Sequence, residues 1–270
     1  MTTTTRSADG SGAPRGPERA RPPAVLVLLL LAAVGVVVRA ALRVRRLARE
    51  APSHRVPLDH ARRVVAAGAD PDAAPLRLLV VGDSAADGYG LTDLDDAFPG
   101  QAAVRLSALR GRPVEVASVA VDGARTRDVL VRQVPAVAAS RPDLVVVGVG
   151  VNEALRGARA GGVRADTAAL LDALADLGPQ VALVPCPDLA AAPGLPWPVS
   201  SLAGWRCRAV RRAQTAAGAA AGVAVVRYPG RPPAAMFGPD GLHPGPLGAA
   251  ASAALLVAAL EDKDPPWTSD

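Results

Sequence analysis

The stretch Leu76-Arg77-Leu78-Leu79-Val80-Val81-Gly82-Asp83-Ser84 decides the fold. An almost unbroken apolar run of strand length ends abruptly in a glycine, an acid and a serine. Such a run reads as a strand buried on both faces, the situation of a strand inside a parallel sheet. The pattern recurs at Val114 to Val119, Leu144 to Val149, Val181 to Pro185 and Val223 to Tyr228. Between these runs lie helical patterns at Phe98 to Leu109, Arg125 to Ala139, Arg164 to Leu177 and Pro198 to Ala221. A last helix is expected at Pro246 to Glu261. Strands alternating with helices predict an α/β fold: a five-stranded parallel sheet with right-handed crossovers, forming a three-layer α/β/α sandwich. In such sheets ligands bind outside the carboxyl ends of the strands, so residues directly after each strand are the first candidates for chemistry.

Those positions are informative. Ser84 follows the first strand. Asp122-Gly123-Ala124 follows the second, and Gly150-Val151-Asn152-Glu153 the third. Asp240-Gly241-Leu242-His243-Pro244 precedes the last helix. Taken singly, each has a plain structural reading: Ser84 as a helix cap, Gly123 as a turn residue, Asn152 as a cap or loop residue. The remaining histidines, His54 and His60, lie outside the sheet pattern and read as solvated. So do Arg125, Arg127 and the group Arg206, Arg208, Arg211 and Arg212 on helix faces.

Taken together and in this order, the four blocks resemble those of the SGNH (GDSL-type) serine hydrolases: GDS, a lone Gly, GxN and DxxH. The resemblance covers Leu76 to Leu260. It implies the flavodoxin-like sheet of that family, with Ser84 as nucleophile, His243 as general base and then acid, and Asp240 as the carboxylate that orients the imidazole. It also implies an oxyanion hole built from the backbone N–H of Ser84, the backbone N–H of Gly123 and the side-chain amide of Asn152. Many members have Asp after that Asn, where this chain has Glu153. The absence of GxSxG argues against an α/β-hydrolase nucleophile elbow. The implied activity is that of a serine esterase or acylhydrolase acting on carboxylic esters of a small molecule, lipid or acylated sugar, with no cofactor and no metal. Acyl transfer by the same triad is the close alternative, and a non-catalytic carbohydrate- or lipid-binding module tethered to a membrane the distant one. The loop Cys186 to Pro198 and the acidic loop holding Asp87, Asp93, Asp95 and Asp96 are expected to wall the pocket.

Composition bounds the rest. The chain has 270 residues, half of them hydrophobic but only 3% aromatic, so its core must be made mainly of Val, Leu and Ala. The net charge of +5 is lopsided, because nine arginines stand against three acids in residues 1–50. The remainder is nearly neutral, which argues against nucleic acid as a partner. Residues 1–21 read as a disordered basic leader. An apolar run from Pro22 to Val38 follows, extendable to Leu42, and reads as a transmembrane helix or signal anchor over 22–42. A cleaved secretory signal peptide is the competing reading. The arginines on both flanks leave the membrane side open. Residues 43–75 read as a juxtamembrane connector with a short helical pattern at Leu58 to Ala67, 76–262 as the catalytic domain, and 263–270 as a tail. Cys186 and Cys207 have no metal spacing and read as buried thiols or a single optional bridge.

Overall fold

A computed structural model describes residues 24–50, 61–138, 140–177 and 180–262. The leader 1–21, the tail 263–270, and His54 and His60 lie outside the described residues. Two units are distinguished, 1–38 and 39–270. The first holds most of helix α1 (Ala24–Glu50), whose apolar side chains, Leu28 and Leu31 among them, are exposed. Its described apolar stretch, Ala24 to Val38, covers roughly 22 Å at helical rise against a hydrocarbon layer of ~30 Å. Among the described residues no helix is long and apolar enough to cross a membrane. The expectation of a spanning helix over 22–42 is corrected accordingly.

The second unit is built on a six-stranded sheet. Its strands are β1 (Arg62–Val64), β2 (Leu76–Gly82), β3 (Val114–Ser118), β4 (Leu144–Gly148), β5 (Gln180–Val184) and β6 (Ala224–Val225), in the order β1-β3-β2-β4-β5-β6. Strands β2 to β6 pair in parallel, as expected. Strand β1 is an addition: it pairs antiparallel with β3, with Arg62 opposite Val116, and replaces part of the helix expected at Leu58 to Ala67. The last strand is shorter than its apolar run, ending at Val225, with the Val226 N–H still donating to Leu183 O at 2.9 Å.

The buried β2 alternates between two cores. Leu78 and Val80 face α3 (Phe98–Arg110) and α9 (Pro246–Glu261), packing with Leu106 and Leu256. Leu79 and Val81 face the opposite layer, where α7 (Ala160–Ala175) contributes Leu170, Leu171 and Leu174. This is the three-layer sandwich, with α8 (Val199–Ala220) covering the end beyond β5. The helical pattern at Arg125 to Ala139 resolves into α4 (Thr126–Asp128), a π turn (Val129–Gln133) and α5 (Val134–Val137). Pro135 accounts for the break, since it cannot donate to the carbonyl of Val131 and a wider turn takes up the mismatch. The π turn swings the buried Gln133 onto β2, where its amide accepts from the Gly82 N–H and donates to the Gly82 carbonyl, both at 2.8 Å. Strand order reverses at β2, with β3 on one side and β4 on the other, so the crevice opens where Ser84, Gly123 and Asn152 leave the sheet.

Candidate active site

Ser84 opens a single-turn helix, α2 (Ser84–Asp87), capped by Asp83, whose carboxylate accepts the Ala85 N–H at 3.0 Å. The turn is made possible by Gly82, which has φ +146 and lies against Gly148 of β4 so closely that a Cβ would stand 1.8 Å from the Gly148 carbonyl oxygen. The strand end is held from both sides: Asp83 N–H donates to Gly148 O at 2.9 Å, and Val121 N–H to Gly82 O at 3.0 Å. Ser84 is thus a well-buried side chain on a rigid step, with little freedom to choose its direction.

His243 arrives from 159 residues away, and its Nε2 lies 2.9 Å from Ser84 Oγ. Its Nδ1 lies 2.5 Å from Asp240 Oδ2. The other oxygen of Asp240 accepts the backbone N–H groups of Leu242 at 2.9 Å and His243 at 3.0 Å, so the carboxylate shapes the turn that carries its own partner. Burial pushes the Asp240 carboxyl up, but the hydrogen bond and charge of His243 and the two N–H donors outweigh it and hold the group below the usual carboxylate range. The Tyr89 ring packs against the imidazole with centroids 4.7 Å apart. Gly194 fits against the Asp240–Gly241 backbone, its N–H donating to Gly241 O at 2.8 Å. A relay of hydroxyl, imidazole and carboxylate at these distances can move a proton off the hydroxyl.

The other two expected residues stand at the same end of the sheet. Gly123 has φ +74, a conformation that favours glycine. Asn152 lies on α6 (Val151–Leu155) and donates one amide hydrogen to Ala124 O at 3.1 Å, which ties it to the Gly123 turn and leaves its second amide hydrogen available.

Three comparisons bear on this arrangement. The family model described as GDSL-like Lipase/Acylhydrolase matches residues 80–251. The chain belongs to that family. It is 33% identical over 200 residues to the GDSL-like esterase Rv1075c of Mycobacterium tuberculosis, an alignment that takes in 69% of this chain and 62% of that protein's length. Among solved structures it resembles that of TesA, with a TM-score of 0.54 and 24% identity over 69% of this chain and 99% of that one. The lipase/acylhydrolase from Enterococcus faecalis is similar at a TM-score of 0.53 and 24% identity, over 70% and 96% of the two chains. At that identity the structural likeness speaks for the fold.

For this GDSL-like family member, several functional contacts escaped the sequence reading. Glu153, read as a minor departure, is buried, and its Oε1 accepts both the N–H and the hydroxyl of Thr126 at 2.5 Å. With the Asn152 bond to Ala124 it forms a second brace between the Gly123 turn and α6. Gln214, on α8, accepts from the Cys186 N–H and donates to Val149 O, both at 2.8 Å, holding the ends of β4 and β5 together. The position of Glu153 directly after Asn152 was the one signal in the sequence; nothing local marks Gln214, whose burial is a property of the fold. Arg208 is likewise no solvated charge: it bonds the buried Asp188 at 2.8 Å, while Arg206 donates to Ala158 O at 2.8 Å. Cys186 and Cys207 are both buried free thiols. Among the described residues no group of three or more His, Cys, Asp or Glu side chains is placed to hold a metal ion.

The walls also differ from expectation. A cleft of about 390 Å3 opens beside Ser84 and His243, within the size range of small-molecule sites. Pro187 and Leu189 of the expected loop contribute to it, but none of the acidic-loop residues does. Asp87 is buried and accepts a hydrogen bond from Ser118 Oγ at 3.4 Å, and Asp95 pairs with Arg62 at 2.7 Å. The main wall is instead the chain leaving β6, from Tyr228 to Phe237.

Asp83 lines this cleft, and burial raises its carboxyl to about 7 despite the Ala85 N–H and the nearby His243. A carboxyl whose folded pKa stands above its unfolded value contributes stability that is full below the unfolded pKa and is lost as pH rises through the folded one. The window here runs from about pH 4 to about pH 7. Melting temperature is therefore expected to fall between pH 5 and pH 8, and Asp83→Asn, which cannot ionise, should reduce that fall by several degrees, the shift of a few kcal/mol. Equal falls in both proteins, measured by thermal denaturation, would remove Asp83 as the cause.

Proposed function

We propose that this protein is a serine esterase that cleaves carboxylic esters through an acyl-serine intermediate. The observation that carries the reading is the continuous contact from Ser84 Oγ to His243 Nε2 and from Nδ1 to Asp240, at the mouth of an apolar cleft. His243 Nε2 takes the Ser84 proton as Oγ bonds to the ester carbonyl carbon. The carbonyl oxygen, now negative, is met by the N–H groups of Ser84 and Gly123 and the free amide hydrogen of Asn152. The carbon–oxygen bond to the alcohol then breaks, and the alcohol leaves with the proton from His243. A water molecule gives a proton to His243 and adds to the acyl carbon. The carboxylic acid departs as the proton returns to Ser84. Asp240 stays ionised throughout, which its lowered pKa favours, and stabilises the imidazolium. The similarity to a mycobacterial protein named as an esterase supports the same reading. Turnover of p-nitrophenyl butyrate by the purified protein, together with covalent labelling by a fluorophosphonate, tests it. The absence of both turnover and labelling would refute it.

We also propose that α1 attaches the protein to a bilayer. Its support is a helix whose apolar side chains from Val25 to Val38 are exposed, next to an arginine-rich stretch suited to lipid phosphates. The full chain is expected in the membrane fraction of expressing cells and resistant to a high-salt wash, while a chain starting at Ala51 is expected in the supernatant. Identical partitioning of the two would exclude the attachment.

A further inference from the structure

The cleft beside Ser84 has a shape that bears on which ester it takes. One side is a single face of α9, made by Gly248, Ala251, Ser252 and Leu255, whose spacing aligns them along the helix. A second wall is the chain leaving β6, of which Tyr228, Pro233, Met236 and Phe237 line the cleft. That wall is a strap one chain thick, stiffened by Pro229, Pro232 and Pro233. It is fastened at the catalytic end, where Gly245 N–H donates to Met236 O and Gly238 N–H to His243 O, both at 2.8 Å. It also lies directly on Gly248, where a Cβ would come within 2.2 Å of Met236 O. The strap therefore holds a fixed position relative to the catalytic histidine.

The interior is apolar beyond its mouth. Leu189, Leu242 and Val151 complete the lining. Arg231 is the one charged side chain of the strap that lines the cleft. A bulky polar alcohol such as a sugar would leave its hydroxyls unpaired here. A hydrocarbon chain has no hydroxyls to leave unpaired.

Length follows from the helix. Gly248 to Leu255 spans roughly 10 Å at helical rise. An extended chain of tetrahedral atoms advances roughly 1.2 Å per bond, so about eight carbons fit along that face. The cleft, at about 390 Å3, is large enough to take such a chain.

Resting on the esterase reading, we infer that the cleft between α9 and the Tyr228–Phe237 strap is an acyl-chain site that makes this protein selective for esters of linear, medium-length fatty acids, centred near eight carbons. Each methylene buried contributes about fourfold, the equivalent of 0.8 kcal/mol. Some of the gain is offset by ordering the chain. From acetate to octanoate kcat/KM should rise on the order of a hundredfold, and it should fall again by dodecanoate, whose tail would project past Leu255.

The experiment uses the full chain with two ester series. In one the acyl group runs from acetate to dodecanoate on p-nitrophenol. In the other the acyl group stays acetate and the alcohol lengthens from ethanol to octanol. A maximum near octanoate in the first series, with little slope in the second, is the expected result. Ala251→Trp, which fills the middle of the cleft, should lower the octanoate-to-acetate ratio of kcat/KM at least tenfold. Leu255→Ala, which opens the far end, should move the maximum to longer acids and serves if the tryptophan variant fails to fold. A profile that is flat or falls from acetate overturns the inference while leaving the esterase reading intact, as does a slope carried by the alcohol series. A protein that cleaves no ester of any length fails the esterase reading, and the acyl-site inference with it.

Discussion

Ser84→Ala is expected to lower kcat/KM for p-nitrophenyl butyrate by about 10^4-fold or more and to abolish fluorophosphonate labelling, with little change in melting temperature. The size follows from what is removed. Without Oγ there is no atom from which His243 Nε2, at 2.9 Å, can draw a proton, and no oxygen to hold the acyl group. Groups that act as one unit lose nearly their whole effect when one of them is deleted, leaving only binding and oxyanion stabilisation. Stability should change by only about 1 kcal/mol, because the serine side chain gives up one hydrogen bond and its backbone position is set by Gly82 and Asp83. A variant that kept more than about a hundredth of the activity would place the nucleophile elsewhere.

Gly82→Ala is expected to destabilise the whole sheet, by about 4 kcal/mol or more and roughly 10 °C in melting temperature, or to prevent accumulation of soluble protein. Two effects coincide. The residue sits at φ +146, which an alanine adopts only with strain, and its Cβ would stand 1.8 Å from the Gly148 carbonyl oxygen. That oxygen is backbone of the central strand β4, so no side chain can rotate to make room. Moving β2 away would also break both hydrogen bonds to Gln133. A melting temperature within about 2 °C of the wild type would contradict the packing described here. Gly123 makes a useful contrast. A Cβ there would meet only the tip of Arg156, at 3.5 Å, so its glycine is required by its φ of +74 and not by crowding.

The parts of this fold that were legible in the sequence are those with a local cause. Strands β2, β3 and β4 announce themselves because burial on both faces leaves them almost wholly apolar, with Arg77, Glu115 and Ser118 the exceptions. The edge strand β1 could not be seen, since it opens on two arginines, Arg62 and Arg63, and only three residues pair. The break at Val129–Gln133 had a visible cause in Pro135, but the consequence, Gln133 turned onto Gly82, depends on where that turn packs. The same holds for Glu153: its identity is plain in the chain, whereas its partner Thr126 lies 27 residues back across two strand ends. The acidic loop misled for a related reason. Its charges suggested solvent and a pocket rim, and the fold spends them on Ser118 and Arg62.

By itself, the sequence determined the layer order, the strand ends at which chemistry could sit, and which residue types wait there, because periodicity and turn chemistry act over a few residues at a time. The tertiary structure decided the rest. Only the folded chain shows that Ser84 and His243, 159 residues apart, meet at 2.9 Å, that two glutamines and Glu153 lock the strand ends, and that a proline-stiffened strap, and not the acidic loop, lines the cleft with α9. Such distances belong to no local pattern. They are set by how twisted layers of Val, Leu and Ala close on one another, and that depends on every contact in the core at once.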